Sequence, residues 1–473
     1  MSITGVRSAY FIGIKGAGMT ALAQVLTGRG IRVAGSDTIQ RFYTDDVLRR
    51  AGMLFVEQFS ATNIPANVDL VVRSTAYDAD HVEVAEALRR GLRVLSYPEA
   101  IAEVFNAGKG IAVCGTHGKS TSTAMLGWVL AEAGLDPTVV VGAEVPQFGG
   151  NARIGRSDIV VLEADEYQDK LQYLKPHGVV LTSIEYDHPD FFATPEAYVD
   201  VFRRFVTRIP SDGFLVACAD DSMVMDVARG ARCTVMPYGL TLSPTPPFPA
   251  GGGETETTKK FSLSLSEGSA CPPLAGEGEG SNEIALRIPG RHNIQNAIGV
   301  LVAAERLGVP RDVALRALAS FQGTRRRFEI IGEVNGVTVV DDYGHHPTEI
   351  RVTLAAARER FSGRRILCAF HAHTFTRTIA LKDQFATAFV SADRTYVMDI
   401  FGSARERQGG IDAAGLAATI SKHSPATASG GVEETVETLL RDVRPGDVVI
   451  CMGAGENDRV ARLLVERLHA RVA

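Results

Sequence analysis

Short apolar runs recur along the chain, each ending in Gly, Ser, Thr or Asp and each followed by a stretch with helical spacing. They are Ala9 to Ile14, Asp69 to Val72, Gly110 to Cys114, Ile159 to Leu162 and Gly178 to Leu181. A continuous apolar run of that length suits a strand buried on both faces, so the pattern predicts an α/β fold with mostly parallel, doubly wound sheets. A second series follows at Arg365 to Phe370, Thr395 to Ile400 and Asp447 to Met452. Between the two, residues 241–282 are rich in Pro, Gly, Ser, Thr and Glu and poor in large apolar side chains. Such a segment cannot bury enough surface to offset its ordering entropy and is expected to be a flexible insertion. A chain of 473 residues exceeds one ordinary core. Three domains are expected: a Rossmann-like domain over 1–102, a central P-loop ATPase-like domain over 103–325 that carries the insertion, and a Rossmann-like C-terminal domain over 326–473.

Composition narrows the function. Hydrophobic residues make up 45% and charged residues 22%, as in ordinary globular proteins. A net charge of -6 supplies no basic face for nucleic acid or an anionic membrane, so an anionic substrate must be held by local groups. No apolar run approaches the roughly 18 residues that span a bilayer, and MSITGVRSAYFIG has neither a basic n-region nor a cleavage site. A cytoplasmic protein, monomeric or weakly dimeric, is expected. Cys114, Cys218, Cys233, Cys271, Cys368 and Cys451 form no CxxC pair, which argues against a zinc site or a disulfide framework.

The sharpest local signal is the apolar strand Gly110-Ile-Ala-Val-Cys running into Gly115-Thr116-His117-Gly118-Lys119-Ser120-Thr121 and then a helix. A glycine turn there aims N–H groups and the positive end of the helix dipole at phosphate oxygens, with Lys119 against the outer phosphates and the Ser120 hydroxyl on Mg²⁺. The loop departs from G-x-x-x-x-G-K-[ST], because Val113 stands five before Gly118. Two later strands deliver Glu163-Ala-Asp165-Glu166 and Glu185-Tyr-Asp187-His188. Ligands of open parallel sheets bind beyond the carboxyl ends of strands, so these groups should meet Ser120 across one crevice and suit a hard cation, with an imidazole for a second ion. Taken singly, an acid at a strand end is usually a helix cap and one His a satisfied structural residue. Near the N-terminus, Gly13-Ile-Lys-Gly16-Ala17-Gly18-Met19 is a strand-to-helix glycine turn, and Ser36-Asp37 ends the next strand. Its spacing is G-x-x-G-x-G, which is weak support for NAD.

Together these segments resemble the Mur ligase family. GTHGKSTSTAM is similar to its ATP loop, EADE to its acidic Mg²⁺ segment, SIEYDH to its metal-binding histidine segment and GRHNIQNAIGVLVAA to its adenine-side helix. VVDDYGHHPTEIRVTLAAAR, FHAHTFTRT and GDVVICMGAGE resemble the alanine-adding branch, and the likeness runs from about Tyr10 to Glu456. The resemblance implies an ATP- and Mg²⁺-dependent ligase joining L-alanine to the lactyl carboxylate of UDP-N-acetylmuramate through an acyl phosphate, in peptidoglycan precursor synthesis. The first domain would hold the UDP-sugar, with Gly13, Gly16, Ala17, Gly18, Met19, Ser36, Asp37 and Ser74 on the substrate. Lys119 would contact the β/γ-phosphates within the loop Gly115 to Thr121. Ser120 and Glu163 would hold one Mg²⁺, and His188 the second. Asn293 and Asn296 would meet the adenine, Asp342 the ribose and Arg327 the phosphates. Their structural alternatives are helix caps, a turn acid and a solvated cation. Glu166 and Tyr343 join the substrate set. His345 and His346 would orient the amine or take its proton, and Arg377 would pair with the alanine carboxylate.

Three departures qualify the resemblance. Thr374 stands where the alanine-adding branch usually has a further arginine. Tyr167-Gln168 after EADE and Phe191-Phe192 after His188 lean toward the relative that ligates a murein tripeptide. No lysine lies between Lys175 and Lys259, so the carbamylated lysine of other Mur ligases has no candidate shortly after His188. The tripeptide ligase is therefore the nearest alternative. A P-loop switch would not need the third-domain histidines, and an NAD-dependent dehydrogenase would not need Lys119.

Overall fold

A computed structural model describes residue 3 and residues 5–240, 284–402 and 409–471. The insertion expected at 241–282, with Cys271, lies outside the described residues. The described chain builds three sheets with helices on their faces. The first has the order Leu54–Val56, Arg32–Ser36, Ser8–Ile12, Leu70–Arg73, Val94–Ser96, and its strands pair in parallel throughout. The second has the order Thr234–Tyr238, Phe214–Cys218, Gly178–Leu181, Lys109–Cys114, Ile159–Glu163, Thr138–Val145, Gly150–Arg153. The third has the order Glu329–Val334, Val337–Asp342, Val448–Gly453, Ile366–His371, Arg394–Met398, Ala426–Gly430. This is the expected three-domain α/β fold with parallel-rich sheets.

Each of the last two sheets adds an antiparallel pair at one edge. The third-domain pair is closed by Asn335 (φ 53°) and Gly336 (φ 74°), the two left-handed residues that a tight hairpin turn requires. In the central sheet, Lys109–Cys114 lies between Ile159–Glu163 and Gly178–Leu181, with Val113 beside Glu163 and Cys114 beside Leu181. This order carries the glycine loop and both acidic strand ends to one edge of the sheet. The helix Lys119–Glu132 follows the loop directly and is buried along most of its length, packed against Arg291–Arg306 and Arg311–Ser320. Cys114, Cys218, Cys368 and Cys451 are buried free thiols and Cys233 is a half-buried one. Among the described residues no helix is long and apolar enough to cross a membrane.

The N-terminal glycine turn is fastened by a buried charge. The Lys15 side chain is fully enclosed; its Nζ lies 2.9 Å from Asp45 and 2.7 Å from Glu57, and donates to the carbonyls of Thr38 and Gln40 at 3.0 Å. Removing one carboxylate from such a site leaves charge uncompensated and costs about 3 kcal/mol or more. Asp45→Ala should therefore lower the thermal midpoint by several degrees, and Lys15→Met in the same chain should restore part of the loss. An unchanged midpoint in Asp45→Ala would show that Glu57 alone suffices.

Candidate active site between the central and C-terminal domains

The candidate phosphate loop is shaped by two glycines. Gly115 has φ 127° and Gly118 φ 78°, and a Cβ on them would stand 2.3 Å from Thr182 Oγ1 and 2.6 Å from Asn296 Oδ1. Gly118 opens the helix Lys119–Glu132 in a left-handed conformation, without a side-chain cap. Lys119 Nζ donates to the carbonyls of Gly115 (2.5 Å) and Thr116 (3.1 Å) and lies 3.0 Å from Glu166. Burial alone would lower its pKa, but Glu166 and Asp165 outweigh it and hold the ammonium firmly charged.

The strand-end acids converge on this loop. Ser120 Oγ donates to Glu163 Oε1 at 2.8 Å, and Glu163 Oε2 accepts the Gly142 N–H at 2.6 Å. Asp165, Glu166 and His188 bring one ligand atom each to within 4.8 Å of one another. His188 sits at φ 57°, a conformation a non-glycine residue keeps only where its surroundings fix it, and its ring lies 4.5 Å from that of Tyr167. Burial would raise the Asp165 carboxyl, yet Lys170 and Lys119 hold it down to about 2.

Beside the loop a cavity is lined by His117, Asn293, Asn296, Arg327 and Asp342, so the nucleotide candidates of the central and third domains share one space. Asn293 lies in the first turn of Arg291–Arg306, and its Nδ2 donates to the Pro289 carbonyl at 2.6 Å. Asp342 accepts the N–H groups of Phe328 (2.8 Å) and Gly344 (2.7 Å), while burial lifts its pKa. Arg327 lies over the Tyr343 ring at 5.2 Å and 3.8 Å from Glu349.

The third domain is seated through buried charge. Arg377 donates to both Asp187 oxygens, at 2.8 and 3.3 Å, and its NH1 donates to the His373 carbonyl at 3.2 Å. It is 4% exposed and Asp187 6%, so the guanidinium proposed for alanine is already engaged by the central domain. Burial would raise the Asp187 carboxyl, but Arg377 and His188 hold it far below the usual range. His117 Nε2 lies 2.9 Å from Glu185, whose other oxygen accepts the Thr348 hydroxyl at 2.9 Å. His345 shares Nδ1 with the Tyr343 carbonyl at 3.0 Å, and burial lowers its pKa to about 4. His346 is 1% exposed; its Nδ1 accepts the Thr348 N–H at 3.3 Å and its Nε2 has no partner. Burial, then His117, lowers its pKa, so both imidazoles are neutral; His345 keeps a lone pair on Nε2, while His346, its Nδ1 accepting from Thr348, carries its proton on Nε2.

In the first domain, Gly13 (φ 84°), Gly16 and Ala17 form the turn, and Gly18 packs so closely on Tyr97 that a Cβ would lie 2.6 Å from its ring. Asp37 accepts the Lys15 N–H at 2.7 Å, Ser36 is turned inward to Glu83, Met19 belongs to the core, and Ser74 accepts the Ala76 N–H at 3.3 Å. Tyr43 joins this domain to the next: its hydroxyl accepts from Asn151 at 2.9 Å and donates to the Gly142 carbonyl at 3.3 Å. Lys15, Tyr43, Thr348 and Glu349 are site residues that no motif in the sequence marks, and Glu185 and Asp187, legible as strand-end acids, face the third domain.

Comparison with known proteins accords with this geometry. Residues 8–109 match the Mur ligase family, catalytic domain; 113–304 match the Mur ligase middle domain; and 326–455 match the Mur ligase, glutamate ligase domain. The chain belongs to the Mur ligase family. It is 38% identical to the UDP-N-acetylmuramate--L-alanine ligase of Desulfitobacterium hafniense, over 96% of this chain and 99% of that protein. It is 39% identical to the protein of the same name from Rubrobacter xylanophilus, over 97% and 99%. Its fold is similar to that of the UDP-N-acetylmuramate-alanine ligase of Thermotoga maritima, with a TM-score of 0.77 and 24% identity over 98% and 99% of the two chains. The murein peptide ligase of Psychrobacter arcticus gives a TM-score of 0.69, also at 24% identity and the same coverage.

The Asp187–Arg377 pair predicts a stability effect apart from catalysis. Arg377→Ala leaves a buried carboxylate unpaired, at a cost of about 3 to 5 kcal/mol. A lowered thermal midpoint is expected, and Asp187→Asn in the same chain should restore most of it. Equal midpoints for parent and Arg377→Ala would contradict the seating role.

Proposed function

We propose that this Mur ligase joins L-alanine to the lactyl carboxylate of UDP-N-acetylmuramate at the expense of ATP. The observation that carries the proposal is identity of 35–39% over nearly the whole chain to ligases of that name. The reaction needs a carboxylate made electrophilic. One carboxylate oxygen takes the γ-phosphoryl group from ATP, ADP leaves, and the alanine nitrogen attacks the acyl carbon. The tetrahedral intermediate then expels inorganic phosphate and the new amide remains.

Lys119, held charged, stabilises the negative charge that gathers as one anion approaches another. Asn293, Asn296 and Asp342 line the cavity proposed for adenine and ribose, and the Gly13–Gly18 turn is proposed for the UDP diphosphate. His345 and His346, neutral and buried at the seam, are proposed to orient the amine or take its proton, the second role falling to His345, whose Nε2 lone pair is free. Arg377 is proposed for the amino-acid carboxylate, with Asp187 orienting its guanidinium.

The hydroxyl of Ser120 bonded to Glu163, and the oxygens of Asp165 and Glu166 beside His188, are donors suited to a hard divalent cation. One Mg²⁺ is proposed on Ser120 and Glu163 and a second ion on His188; when bound they would neutralise phosphate charge. The test is ADP release with UDP-N-acetylmuramate and, separately, L-alanine, glycine, L-serine and the murein tripeptide. L-alanine should give the highest kcat/KM, and Lys119→Ala should abolish turnover while leaving the fold intact. Preference for the tripeptide would shift the assignment to the recycling ligase that Tyr167 and Phe191 favour. Undiminished turnover in Lys119→Ala would remove the phosphate-loop role.

A further inference from the structure

Glu349 divides its carboxylate between two tasks. Oε2 accepts the N–H groups of His345 (3.0 Å) and His346 (3.2 Å), so it caps the helix Pro347–Arg360. Oε1 faces the other domain: it lies 3.3 Å from His117 Nδ1, in the middle of the phosphate loop, and 3.8 Å from Arg327. The opposite ring nitrogen of His117 is 2.9 Å from Glu185, a central-domain residue. One imidazole of the loop is thus held between a carboxylate of its own domain and one that the third domain brings.

We propose that Glu349 is a positioning residue through which seating of the third domain is transmitted to the phosphate loop, by fixing and charging His117. The inference rests on the ligase function proposed above. Two carboxylates on one ring satisfy both N–H groups only in the imidazolium form. Burial alone would lower the His117 pKa, yet Glu185 and Glu349 outweigh it and raise the value to about 9. The other groups facing the ring are His346, neutral, with ring centroids 4.8 Å apart, and Arg327 behind Glu349. Lys119 follows on the same loop. A seated third domain therefore completes the pair of carboxylates that holds the proton on His117, two residues before Lys119 on the loop proposed for phosphoryl transfer, and its departure removes one of the two.

The division of labour in Glu349 makes a selective variant available. Glu349→Gln can keep its oxygen on the backbone N–H groups and turn its amide to His117, so the helix cap survives while the charged contact is lost. A charge-assisted hydrogen bond is worth about one to two decades. With the full chain, UDP-N-acetylmuramate, L-alanine and ATP, Glu349→Gln should lower kcat at least tenfold and change the KM for the UDP-sugar less than twofold. The alkaline limb of its kcat profile should move to lower pH, because one of the carboxylates raising His117 is gone. His117→Asn should show a similar loss, and the double variant should be no worse than the poorer single one. Parental kcat in Glu349→Gln, additive losses in the double variant, or an unmoved alkaline limb would each overturn the inference. Should Glu349→Gln fail to fold, His117→Asn carries the test, and parental kcat there would overturn it. Absence of turnover in the parent would instead overturn the ligase function.

Discussion

The order of three strands in the central sheet governs the site. Lys109–Cys114, which leads into the candidate phosphate loop, is flanked by Ile159–Glu163 and Gly178–Leu181, so the acids at the ends of those strands gather around the loop, Glu166 on Lys119, Glu163 on Ser120 and Glu185 on His117. Carboxylates crowded at one sheet edge repel each other unless cations share the space. The chain supplies them from near and far: Lys119 on Glu166, Lys170 on Asp165, His117 on Glu185 and Arg377 on Asp187. Where the cation comes from the third domain, neutralising the edge and assembling the active site are one event.

That coupling accounts for the placement of the groups proposed to act on the amino acid. The third domain carries Arg377, His345, His346 and Glu349, and its contacts with the central domain fall on Asp187, Glu185 and His117. Helix Pro347–Arg360 brings its N-terminus to the seam, with His346 as its cap and Glu349 in its first turn. The cavity proposed for the nucleotide is lined by Asn293 and Asn296 of the central domain and by Arg327 and Asp342 of the third. Ligation of two anions in water would be opposed by charge and by hydrolysis of the activated acyl group, and a cleft completed by domain seating answers both.

Much of this was legible in the sequence, because the buried parallel strands write themselves as apolar runs. Gly178–Leu181 has the bounds its apolar run predicts, and Ala9 to Ile14 ends early, at Ile12, because Gly13 turns the chain at φ 84°. The antiparallel edge pairs were not foreseen, although Asn335-Gly336 is a hairpin signal. The loop and its acids were visible as motifs, since a strand end fixes where its next residues point. The partners of those acids were not. Arg377 lies 190 residues from Asp187 and Glu349 232 residues from His117, and nothing local in the chain encodes which distant charge will cover which. Lys15 was hidden likewise: within a glycine turn it reads as a solvated loop cation, whereas it is buried against Asp45.

In the proposed reaction the clustered charge serves to activate a substrate carboxylate by phosphorylation. The most direct measurement uses UDP-N-acetylmuramate labelled with ¹⁸O in the lactyl carboxylate, turned over with ATP and L-alanine, with the label followed into inorganic phosphate. Phosphorylation of the carboxylate requires one labelled oxygen to leave with the phosphate in each turnover. Phosphate that forms in step with ADP yet carries no label would contradict the account.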